Sequence, residues 1–147
     1  LVSTLSSATP EIAPYPFTTK GIVIGHMDDD WRKYQIIDTP GLLDRSIDER
    51  NAIEKQAILA LRYLTNVMII VIDPSETCGY SMEKQLALLD SIKRGFEGIP
   101  IIVAESKSDI MTTDSDNIHF SAETGENMDI LRKTIVDELR KIRFEEE

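Results

Sequence analysis

Residues 38–41 read Asp-Thr-Pro-Gly and directly follow the apolar run Tyr34-Gln-Ile-Ile37. A strand that ends in Asp and turns through Pro-Gly sets a carboxylate and an unhindered glycine N–H at its carboxyl end. Open α/β sheets bind their ligands there. Asp38 suits Mg²⁺, a hard cation that takes oxygen ligands, held directly or through water. The Gly41 N–H suits the terminal phosphate of a nucleoside triphosphate. Taken alone, the four residues fit an ordinary strand-ending turn equally well.

Three further segments suit the same chemistry, in a workable order. Tyr15-Pro-Phe-Thr-Thr19 reads as a loop in which a threonine hydroxyl, that of Thr19 in preference to Thr18, can reach Mg²⁺ while its N–H meets the terminal phosphate. Loss of that phosphate would then release the loop. Ser106-Lys-Ser-Asp109 follows the apolar run Ile101-Ile-Val103. A carboxylate at Asp109 can accept from guanine N1–H and from its exocyclic amine, a pair of donors that adenine lacks. A site built on such bonds discriminates by about 10⁴–10⁵, because the wrong base leaves a buried charge unpaired. The Lys107 stem would cover one face of the base, with Ser106 beside it. Ser121-Ala-Glu123 is a turn that could aim a backbone N–H at guanine O6. Each of these segments in isolation is a solvated turn.

The elements that must position them alternate strand and helix. Leu1 and Leu5 share a helical face that Thr9-Pro10 stops, since proline cannot continue a helix. Residues 10–20 read as a loop, 21–24 and 34–37 as strands, and Asp28-Asp-Asp30 as the acidic turn joining them. Ser46-Ile-Asp-Glu49 has the capping-box pattern. Ile53, Ala57, Leu61 and Leu64 then recur at helical spacing. Residues 67–72 are a continuous apolar run suited to a buried parallel strand. Met82, Leu86 and Leu89 mark the next helix, 101–103 a further strand, 117–120 a last short strand, and Met128, Leu131, Ile135, Leu139 and Ile142 a final helix. Asp73, just past a buried strand, fits a nucleotide edge or a turn equally well. The alternation indicates an α/β fold with a mostly parallel sheet and helices on both faces.

Composition narrows the class. The chain has 147 residues, enough for one domain with its own core. Cys78 is the only cysteine, which excludes an internal disulfide and favours a cytoplasmic setting. No apolar run reaches the roughly 20 residues that span a bilayer, so no membrane partner is expected. A net charge of −10 without a basic patch argues against autonomous nucleic-acid binding. His26 and His119 are too isolated for a zinc site. No nucleophile–base–orienter set for acyl transfer is present, and no residue is assigned a catalytic role.

Together these residues resemble a translation-factor-type GTPase of the P-loop NTPase class, and within it the Nog (nucleolar GTP-binding protein) branch of the Obg–HflX superfamily, archaeal type. The resemblance rests on 7–21, on Tyr34-Gln-Ile-Ile-Asp-Thr-Pro-Gly-Leu-Leu-Asp-Arg45, on 49–63 and on Asp73-Pro-Ser-Glu-Thr-Cys-Gly79. It implies a G domain that binds GTP or GDP through Thr19, Asp38, Gly41, Ser106, Lys107, Asp109, Ser121, Ala122 and Glu123. It also implies Mg²⁺ at Thr19 and Asp38, slow GTP hydrolysis, and a role with the large ribosomal subunit or its precursors.

The chain departs from the resemblance in several places. The phosphate-binding loop of the type Gly-x-x-x-x-Gly-Lys-Ser is absent from it, as is the first strand, which in this fold lies between the strand ending at Ile37 and the strand 67–72. The expectation is a partial G domain over 1–147 with an acidic tail at 144–147. Ser106 stands where the pattern has Asn or Thr, and the stretch 110–117 is short for the helix usual there. Leu42 stands where some GTPases place a glutamine to orient the attacking water, so hydrolysis should be slow. The alternative is a degenerate, nucleotide-free scaffold that serves as an interaction module.

Overall fold

The computed structural model describes residues 1–7, 9–14, 21–29, 32–39 and 50–146. The chain, expected as one domain, divides into two compact units, Leu1–Leu64 and Thr65–Glu147.

The first unit is built on an antiparallel hairpin. Strand β2 (Ile22–Asp29) pairs with β3 (Arg32–Asp38). The acidic run expected as a turn lies largely inside β2, because Asp28 and Asp29 stand opposite Lys33 and Arg32 in the ladder. Opposite charges across a strand pair extend pairing that hydrophobicity alone would end. A three-residue strand β1 (Glu11–Ala13), within the stretch expected as a loop, adds to the other edge of β2. Pro10 and Pro14 bracket it and keep it short, since proline cannot donate to a ladder.

Helix α1 (Val2–Leu5) is a single turn with Leu5 buried. It ends before Pro10 because the Ser6 and Ser7 hydroxyls both turn to donate to the His26 carbonyl. Gly25 makes room for this approach: a Cβ there would lie 2.9 Å from the Ser6 hydroxyl and from Val2. Helix α2 (Ala52–Leu64) is capped reciprocally, the Glu54 N–H donating to Asn51 Oδ1 at 2.8 Å and the Asn51 N–H reaching Glu54 Oε1. The box expected at 46–49 lies outside the described residues. The buried face of α2 is Ala57, Ile58 and Leu61, rotated from the expected stripe, so Ile53 and Leu64 are 57% and 62% exposed.

The second unit holds the parallel ladder expected from the alternation, in the order β4 (Met68–Ile72), β5 (Ile101–Glu105), β6 (Ile118–His119). Helix α3 (Met82–Gly95) crosses from β4 to β5, and α4 (Met128–Glu146) follows β6. Phe96, Phe120 and Leu131 are fully buried and, with Ile92, Ile102, Ala104 and Ile135, form the core. Among the described residues no helix occupies 106–117, as the short spacing implied. Helix α4 runs through Glu146, across most of the acidic stretch 144–147. Among the described residues β3 and β4 are each the edge of a three-stranded sheet.

Candidate functional site

The parallel ladder delivers two carboxylates to the carboxyl ends of neighbouring strands, Asp73 just past β4 and Glu105 at the end of β5. Both are buried, and burial alone disfavours the charged form.

Asp73 is anchored by main chain and side chain. The Gln85 amide of α3 accepts from the Asp73 N–H at 2.7 Å and donates to the Asp73 carbonyl at 2.9 Å. Oδ1 accepts from the Ser75 N–H and hydroxyl; Oδ2 accepts from the Cys78 N–H at 2.8 Å and from Thr77 Oγ1 at 3.2 Å. The Lys107 ammonium completes the cluster, 2.8 Å from Oδ2 and bonded to Thr77 Oγ1. Burial would raise the Asp73 pKa, but the hydrogen bonds from Lys107, Ser75 and Cys78 overcome it and hold the carboxyl well below the usual carboxylate range.

Asp109 lies at the exposed tip of the next loop. Its Oδ1 accepts from the buried Ser121 hydroxyl at 2.8 Å. That hydroxyl in turn accepts from the Thr124 N–H at 3.1 Å, which fixes its direction. Gly125, at φ +83°, allows the turn to close with its N–H on the Ser121 carbonyl. Among the described residues Oδ2 of Asp109 has no partner. Ala122 and Glu123 are exposed on the same turn.

The remaining predicted residues fall as follows. Lys107 has its backbone in the left-handed region at φ 56°, rare for a side-chain-bearing residue and typical of ligand sites. Ser106 spends its one donor on the Ile72 carbonyl at 3.1 Å, leaving only its lone pairs for a ligand. Asp38 is exposed at the carboxyl end of β3. Thr19 and Gly41 lie outside the described residues.

A lone exposed carboxylate such as Asp38 suits Mg²⁺, which typically takes one or two protein oxygens and fills its shell with water and phosphate. Among the described residues no group of three or more metal-binding side chains exists.

Sequence reasoning missed Glu105. Its carboxylate accepts from Thr113 Oγ1 at 2.7 Å, from the Ser115 hydroxyl and from Asn117 Nδ2 at 3.2 Å, with His119 Nδ1 3.9 Å away. Burial would raise its pKa; the Ser115, Thr113 and Asn117 bonds bring it below the ordinary value. The available signal was a carboxylate ending an apolar strand, followed by closely spaced Thr, Ser and Asn. Asp73 carried a comparable signal in the hydroxyls of Ser75 and Thr77.

The sequence profile of the nucleolar GTP-binding protein 1 family matches residues 52–109. A crystal structure from Plasmodium falciparum, described as a nucleolar GTP-binding protein 1, superposes over 99% of this chain and 81% of its own, at 30% identity and a TM-score of 0.80. The chain belongs to the nucleolar GTP-binding protein 1 family. The chain is also 51% identical over 111 residues, or 76% of its length, to an uncharacterized Methanocaldococcus jannaschii protein. The family fold is that of P-loop GTPase G domains: the G domain of the T. maritima FeoB iron transporter covers 93% of this chain and 87% of its own at a TM-score of 0.69 and 22% identity. The chain spans 30% and 17% of the lengths of the first two curated relatives it matches.

Proposed function

We propose that this chain is the guanine-reading and switch portion of a GTP-binding protein that hydrolyses GTP slowly and acts in assembly of the large ribosomal subunit. The observation that carries the reading is Asp109, whose Oδ1 is held by Ser121 while Oδ2 is left without a partner among the described residues. A carboxylate oriented on one side and open on the other suits the two parallel donors of guanine. In this reading the Lys107 stem covers a face of the base. Ser106, Ala122 and Glu123 border it, with the Ala122 N–H toward O6.

Asp38 and Thr19 would hold Mg²⁺, and Gly41 would meet the terminal phosphate. The ion would supply charge neutralisation of the phosphates. Leu42 cannot orient a water by hydrogen bonding, which supports slow turnover. Among the described residues no helix is long and apolar enough to cross a membrane. The net charge of −10 directs any contact with a ribosomal precursor toward protein or another basic partner and away from bare RNA. The proposed setting is cytoplasmic.

A second reading, a nucleotide-free scaffold, draws on one observation: the Ser106 hydroxyl and the Lys107 ammonium are both already engaged by the protein. Titration of the protein carrying this sequence with labelled GDP and ADP separates the two. GDP should bind at least about 100-fold more tightly. Equal affinities would overturn the assignment of Asp109, and absence of binding would favour the scaffold.

A further inference from the structure

The 73–79 loop plays no part in the nucleotide reading above, yet it holds the Lys107 ammonium of the base motif. Three observations bear on it. The main chain of Asp73 is clipped at both its N–H and its carbonyl by Gln85, which fixes the backbone that carries the carboxylate. The same carboxylate receives the N–H groups of Ser75 and Cys78 from the loop and the Lys107 ammonium from the base motif. Of the three described residues with side chains that adopt the left-handed backbone, two lie here, Glu76 inside the loop at φ 60° and Lys107 itself at φ 56°; the third is Asn127. Such conformations persist only where the surroundings over-determine them, and Glu76 and Lys107 each sit on one side of this ion pair.

We propose that Asp73 is a positioning residue of the base site, fixing the Lys107 ammonium so that the order of the 73–79 loop and occupancy of the base site are a single coupled equilibrium. The inference rests on the guanine-nucleotide reading. A base laid against the Lys107 stem restrains that stem. The stem restrains the ammonium, and the ammonium restrains the carboxylate on which the loop amides hang. Linkage makes the coupling reciprocal, so loosening the loop must weaken nucleotide binding by the same factor.

The test uses the protein carrying this sequence. Amide hydrogen exchange at Ser75 and Cys78 is measured alone, with GDP and with ADP. GDP should slow both amides by about tenfold, and ADP should leave them unchanged. Lys107→Met keeps the stem and removes the ammonium, so it should abolish the slowing and weaken GDP by about tenfold. In a double-mutant cycle with Asp73→Asn, the double variant should bind GDP no more weakly than the worse single variant, because both remove one interaction. If Asp73→Asn fails to melt cooperatively, Thr77→Val takes its place in the cycle. Preferential GDP binding with exchange that does not respond, or losses that multiply, would overturn this proposal and leave the guanine reading standing. Equal GDP and ADP affinity would overturn both.

Discussion

Asp73 and Glu105 meet the same physical problem on neighbouring strands and solve it differently. Each is a carboxylate carried into the protein at the end of an apolar strand, and each stays ionised. Asp73 does so with a cation and with amides from a short loop beside it. Glu105 uses neutral donors from Thr113, Ser115 and Asn117. The cation ties Asp73 to a residue predicted to touch the ligand. The neutral donors tie Glu105 to a connection that lacks a helix. In the proposed reading one carboxylate holds a residue of the ligand site, and the other holds a connection that has no helix among the described residues. A buried charge organises a loop in both cases, and the identity of its partner decides what the loop can report.

Acid should expose the contrast most fully. Both folded-state pKa values lie below their unfolded values, so both groups contribute stability above the ordinary carboxylate range. That contribution is lost as pH falls through each folded value. Glu105 should protonate first and Asp73 only in stronger acid. Thermal stability should fall between neutral pH and about pH 3 largely through Glu105, so that Glu105→Gln flattens this decline, while part of the Asp73 contribution persists into stronger acid. An undiminished decline in that variant would erase the distinction.

Asp73→Asn should be the costlier substitution at neutral pH, by about 2–3 kcal/mol in chemical denaturation. The figure sits below that for a fully buried pair because Lys107 is 38% exposed and partly screened. Glu105→Gln should cost about 2 kcal/mol, since one amide oxygen cannot satisfy three donors. It should shift GDP affinity less than its stability loss suggests. The reverse ranking for nucleotide binding would mean that Glu105, not Asp73, communicates with the base. Ser121→Ala should have the smallest effect on folding, about 1 kcal/mol. It frees Asp109 to rotate, so its mark should be a faster GDP off-rate in stopped flow.

The parallel ladder and its motifs were legible because their signals are local. A continuous apolar run reads as a buried strand whatever surrounds it, which is why 67–72 and 101–103 fall close to β4 and β5. The Asp109 and Ser121 segments were found by type and order, and their side chains meet. What escaped depends on partners distant in sequence. β1 exists because β2 offers it an edge, and no property of Glu11–Ala13 announces that. The engagement of Lys107 by Asp73 spans 34 positions. The α2 stripe was misjudged by a fraction of a turn because Ile58 is as apolar as its neighbours, and only packing selects among them. Thr19 and Gly41 lie outside the described residues, so the phosphate side rests on sequence.

The flank of β4 opposite β5 carries a further consequence. Among the described residues it has no neighbouring strand, and Val71 on it is 45% exposed. A strand edge without a partner strand is a template for pairing with other chains. Mutual repulsion between copies, each with a charge of −10, opposes such stacking, and that repulsion weakens as ions shield it. Pairing of copies along such an edge would therefore be favoured by added salt and opposed by its removal.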